Sequence, residues 1–158
     1  MREAQTRAIL RDRSSFDRAI ATARREMDYA LSFESLDEAP VWLRSVNHSE
    51  VAHHEARGLS DFEEFDRAIA LLDKAISEQV HERNATMSRA SSAFYRLRSG
   101  DLGGAVEEAR PVLRALHSLS SARTLRELRP IREAAEQRPA AAGWCDEFDT
   151  LERKAVIL

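Results

Sequence analysis

The chain has 158 residues, 43% of them hydrophobic and 32% charged, with 5 Gly, 4 Pro and 6% aromatics. A chain with that balance can bury a core and need not be disordered, and so few turn-formers argue against an all-β fold. The formal net charge of −3 gives no chain-wide basic field, so direct nucleic-acid binding is not expected.

Apolar residues recur at helical spacing throughout, which predicts an all-α chain of about seven helices. In a first unit of roughly residues 1–34, Phe16, Ile20, Ala23 and Met27 share one helix face. A break follows near Leu36–Pro40, and the next helix starts near Ser45 to Ser49. A second unit, roughly 45–80, breaks at Ser60–Glu63 and continues with Phe65, Ala68, Ile69, Leu72, Ala75 and Ile76 on one face. A third, roughly 83–118, turns at Ser99-Gly100-Asp101, where Gly100 suits a left-handed helix cap, and continues through Leu102, Ala105, Val106, Ala109, Val112 and Leu113. Closing helices occupy 119–158, with breaks at Leu116–Ser121 and Pro139–Gly143. Pro111 and Pro130 fall inside predicted helices, and a kink is expected at Pro111.

The segment Phe16-Asp17-Arg18-Ala19-Ile20-Ala21 returns as Phe65-Asp66-Arg67-Ala68-Ile69-Ala70. A degenerate third copy is Leu102-Gly103-Gly104-Ala105-Val106-Glu107. Repeats of roughly 34 residues mark stacked helical hairpins, each burying its apolar face on the next. Small residues are needed where two helices cross. Ala56 with Ala68, and Ala93 with Ala105, are spaced to meet at such crossings. The wider interval between the first two copies places an insertion between Tyr29 and Pro40.

Gly100-Asp101-Leu102-Gly103-Gly104-Ala105-Val106 resembles the turn of a tetratricopeptide repeat, and Phe65–Ile76 resembles its second helix. The resemblance covers most of Met1 to Leu116 and implies a solenoid of helical hairpins in one domain over 1–158. The aromatic expected early in the first helix is replaced by Ala52 and Arg89, and the first two copies lack the turn glycine. Pro40-Val41-Trp42-Leu43, then Glu50-Val51-Ala52, then Arg123–Leu128 are also similar, in that order, to the C-terminal regions of actinobacterial helix-turn-helix transcription regulators. The near-exclusive use of arginine over lysine (only Lys74 and Lys154) fits a GC-rich bacterial genome.

No Gly-x-Ser-x-Gly elbow, phosphate loop or Cys-x-x-Cys is present, so no enzyme and no cofactor is expected. The adjacent pairs Glu63-Glu64 and Glu107-Glu108 diverge, where acid–base work needs converging carboxylates. His48, His53 and His54 offer only one i, i+4 pair, Glu50 with His54, and two ligands do not make a metal site. Arg123, Arg126, Arg129 and Arg132 could meet phosphate, but interleaved Glu127, Glu133 and Glu136 favour a solvated closing helix. The lone Cys145 reads as buried or idle, and with no apolar leader at Met1–Thr6 the expected compartment is cytoplasmic. No segment approaches the roughly 18 apolar residues of a membrane span.

The resemblance implies a concave groove lined by the first helix of each hairpin. Its positions fall on Glu50, His53, Arg57 and Ser60 in one unit, and on Met87, Ala90, Phe94 and Leu97, with Arg98 beside them, in the next. Apolar anchors flanked by guanidiniums suit a peptide carrying carboxylates. The alternative is that Phe94 and Leu97 pack against another helix. The expected function is therefore capture of a protein or peptide segment, in transcriptional control; the alternatives are a self-associating homodimer and a small-molecule sensor.

Overall fold

The computed structural model describes residues 1–33, 35, 38, 47–78, 82–119 and 121–155. Among them the chain is all-helical, without a strand: α1 (Arg2–Ile9), α2 (Arg13–Phe33), α3 (His48–Asp61), α4 (Phe65–Ser77), α5 (Glu82–Arg98), α6 (Leu102–Leu116), α7 (Ala122–Ala135) and α8 (Ala142–Ala155). A 3-10 turn at Pro139–Ala141 precedes α8. These eight helices exceed the expected seven or so; the turn at Leu10–Asp12 contains neither Gly nor Pro to announce it. The expected break at Leu36–Pro40, Glu38 apart, and the Pro40–Leu43 segment lie outside the described residues.

Three turns share one hydrogen-bond pattern. After α1, the Arg11 N–H donates to the Ala8 carbonyl and the Asp12 N–H to that of Arg7, both at 2.9 Å. After α3, Glu63 donates to Ser60 and Glu64 to Leu59; after α5, Gly100 donates to Leu97 and Asp101 to Arg96. Each turn places one residue in the left-handed region: Arg11 at φ 58°, Glu63 at φ 66° and Gly100 at φ 92°. This is the Schellman closure, which satisfies carbonyls a helix end would leave orphaned. Only the third turn uses the residue that adopts positive φ without steric cost. The residue after each left-handed position then opens the next helix. The Asp12 carboxylate accepts from Ser15 N at 3.1 Å, and that of Asp101 from Gly104 N at 2.8 Å.

These turns correct the register of the echo. Phe65 and Leu102 are the first residues of α4 and α6, whereas Phe16 is the fourth of α2. The positions equivalent to Phe16 are Ala68 and Ala105; all three donate to the carbonyl of the residue that opens their helix, and all three are buried. Shared letters had suggested a register that the turns do not follow.

By chain contacts the protein divides into residues 1–75 and 76–158. In the first unit α1 packs on α2 and α3, and α2 on α3. Ala4, Ala8, Phe16, Ile20, Val51, Ala56 and Leu59 are buried there, as are Ala68 and Leu72 of α4. The core face of α2 continues through half-buried Ala23, Met27 and Leu31. Tyr29 and Phe33, edge to face at 4.7 Å between centroids, lie on the opposite face and are exposed.

In the second unit α5 packs on α6 and α7, and α8 on α6 and α7. Its core joins Ala90 and Ala93 to Ala105, Ala109, Val112 and Leu113, then to Leu128, Ile131, Trp144 and Phe148. Each large side chain so buried contributes about 1.5–3 kcal/mol by removal from water. α6 and α7 run uninterrupted through Pro111 and Pro130.

Candidate functional site

The expected groove positions lie on two helices, α3 in the first unit and α5 in the second. On α3, Asn47 caps the start by accepting from Glu50 N at 3.1 Å. One turn later the Glu50 carboxylate meets His54 Nε2 at 3.2 Å, and His54 Nδ1 lies 2.5 Å from Gln5 Nε2 of α1. His53 is half-buried with its ring 6.3 Å from that of His54, and Arg57 is exposed. Glu50 and His54 therefore help hold α3 to α1, while Arg57 faces solvent. His48 pairs with Asp28 of α2 at 3.3 Å. Among the described residues no group of three or more potential ligands converges to hold a metal.

Glu55 forms an ion pair with Arg24 of α2. Burial pushes the Glu55 carboxyl above its usual range, and Arg24 draws it back only in part.

α5 differs from the helix expected. Its buried residues, Thr86, Ser88, Ala90, Ser91, Ser92, Ala93 and Tyr95, point in all directions around the axis. Ala90 belongs to the core of the second unit and Leu97 packs against it, so that part of the expected face looks inward. Met87 and Phe94 stay half-buried and Arg98 is exposed; the Phe94 ring lies 6.2 Å from that of Tyr95. Alanine and serine surround α5 on every side, so its sequence carries no amphipathic stripe to say which face is inward. On the other faces Arg89 pairs with Glu108 at 2.8 Å and Ser91 donates to Glu127 at 2.6 Å.

The arginines of α7 are engaged mainly across helices. Arg132 grips Asp149 of α8 through two bonds of 2.8 and 2.9 Å, and Arg129 meets Glu152 at 2.6 Å. Of the intrahelical pairing expected from sequence, Arg132 meets Glu136 at 3.4 Å. The Arg132 hydrogen bonds hold the Asp149 carboxyl below the usual range. The adjacent acids diverge: Glu63 meets Arg11, Glu64 meets Arg13 and Arg67, Glu107 meets Arg110 and Glu108 meets Arg89. Burial raises the pKa of the Cys145 thiol, which disfavours the reactive thiolate.

Sequence reading missed one feature, an open pocket of about 410 Å³ where α6 and α8 end and α7 begins. Its residues are scattered from Leu116 to Ala155 with no common motif, and only the tertiary packing of three helices assembles them. Neither a known family model, nor a curated protein, nor a solved structure matches this chain.

Proposed function

We propose that the chain is a non-enzymatic, tetratricopeptide-like helical-hairpin module that binds a protein or peptide segment, as the sensing or interaction part of a bacterial transcription regulator. The observation that carries this reading is the recurrence of one turn three times, with small or buried residues at fixed places either side. Ala4, Ala56 and Ala93 each stand seven residues before a left-handed turn residue, and all are fully buried. After the turn, Phe16, Ala68 and Ala105 take the equivalent buried place. Such a pattern is what stacked hairpins require.

The binding surface in this reading is the half-buried Met87 and Phe94 of α5 with exposed Arg98. An aromatic anchor beside a guanidinium suits a segment with an apolar side chain and a carboxylate. Immobilised full-length chain and its Phe94→Ala variant, exposed to host lysate, test it. A protein retained by the wild type and lost by the variant supports the reading; identical retention by both removes Phe94 from the surface.

A second reading, self-association, is favoured by the exposed Ile9, Leu10, Tyr29 and Phe33 of the first unit. Light scattering on the eluting protein distinguishes them, since a monomer at high concentration excludes it.

A further inference from the structure

The pocket of the second unit has a chemistry independent of the peptide-binding reading. Leu116, Leu125 and Leu151 give it an apolar floor, while His117 and Lys154 supply its basic side chains. Among the described residues no acidic residue lines it. Glu147 lies 3.2 Å from His117 Nε2, so among the described lining residues the ammonium of Lys154 is the remaining full charge. Helix ends do not decide the sign. α7 begins at the pocket with Ser121, while α6 and α8 end there, so terminal partial charges of about half a unit oppose one another. The whole unit of charge on Lys154 outweighs what remains.

Size narrows the ligand further. The volume of about 410 Å³ falls within the range of small-molecule sites. It corresponds to roughly a dozen water molecules at ~30 Å³ each, and so to a ligand with about that many non-hydrogen atoms.

We propose that this pocket binds a small organic acid, an apolar body bearing a single carboxylate that faces Lys154. An amine would meet Lys154 and, among the described lining residues, no carboxylate, and a strongly polar anion would leave the leucine floor unfilled. The mixture of an apolar floor and one placed charge is the usual form of a site that both holds and orients a small molecule.

The probe is 4-phenylbutyrate, with 4-phenylbutyramide and 4-phenylbutylamine as its neutral and cationic counterparts, titrated into the full chain by calorimetry. The acid should bind several-fold more tightly than the amide, about 2–5 fold for one exposed ion pair, and the amine should bind least. Lys154→Met should reduce the acid to the level of the amide and leave the amide unchanged. Ala122→Phe, at an exposed position on the pocket wall, should abolish both while circular dichroism shows the helices intact. The proposal is overturned if the acid does not bind at millimolar concentration, if the amine binds as well as the acid, or if binding survives both substitutions in folded protein.

Discussion

Phe16 of α2 lies directly on Gly58 of α3, and a Cβ at position 58 would overlap the Phe16 ring. The ring is also braced edge-on by Phe62 at 5.4 Å, and it is almost wholly buried. Where α4 and α6 carry Ala68 and Ala105 at the equivalent place, α2 carries a large aromatic, and the missing side chain of Gly58 makes the room. Gly58→Ala sets two effects against each other. Helix propensity should gain about 1 kcal/mol, while overpacking should cost about 1–3 kcal/mol. The expected net result is lower stability in urea unfolding, recovered in part by Phe16→Leu in the same chain. A Gly58→Ala variant more stable than the wild type would mean that the contact is loose.

Ala105 is fully buried in the core of the second unit and has no glycine opposite it to yield. Ala105→Leu should therefore destabilise by about 1–3 kcal/mol, and Ala68→Leu should do likewise. Unchanged unfolding midpoints would show that these positions have space to spare.

The turn before α6 rests on Asp101, whose carboxylate accepts from Gly104 N. Asp101→Ala should cost about 0.5–2 kcal/mol, and Asp101→Asn should cost little, because the amide oxygen can take over the cap. Equal loss in both variants would show that the charge, and not the cap, matters.

Two carboxylates should give opposite pH signatures. Asp149 is held below its usual range by Arg132, so its contribution is present above the ordinary aspartate pKa and is lost as pH falls through the depressed native value. The destabilisation by Asp149→Asn should thus be full at neutral pH and vanish in strong acid. Glu55 is raised by burial, so the native state is favoured below the ordinary glutamate pKa and loses that advantage as pH rises through the native value. Glu55→Gln should therefore compare best with the wild type at neutral pH and lose ground on acidification. Stability curves of both variants from neutral to acid pH check the signs; parallel curves would contradict them.

Much of the helical order was legible because α2, α4 and α6 carry apolar residues on one face, and because Gly100-Asp101 marks the break before α6 and Pro139–Gly143 the break before α8. The turn at Arg11 was not, since Arg and Glu at positive φ carry no compositional mark; only the hydrogen bonds reveal that Arg11, Glu63 and Gly100 do the same task. The repeated Phe-Asp-Arg-Ala-Ile-Ala letters misled by three residues in α2, because Phe16 occupies a crossing position and Phe65 opens a helix. The groove was harder still. Ala90 and Leu97 face the core while Phe94 is half-buried and Arg98 exposed, a distinction that α5, small-sided all round, does not encode. The pocket at Leu116, Leu125 and Leu151 depends on where three helix ends meet, which no local pattern records.

The central claim, that this chain captures a protein segment through Phe94 and Arg98 of α5, is tested most directly by titrating a co-purified partner. The variants are Phe94→Ala and Arg98→Ala, each shown to be folded. Phe94→Ala should weaken binding by about 2 kcal/mol or more if the ring is an anchor. The arginine variant should weaken it more at low salt than at high, since exposed charges are screened within about 10 Å at 0.1 M. Unchanged affinity in both folded variants, at both salt concentrations, would contradict the account.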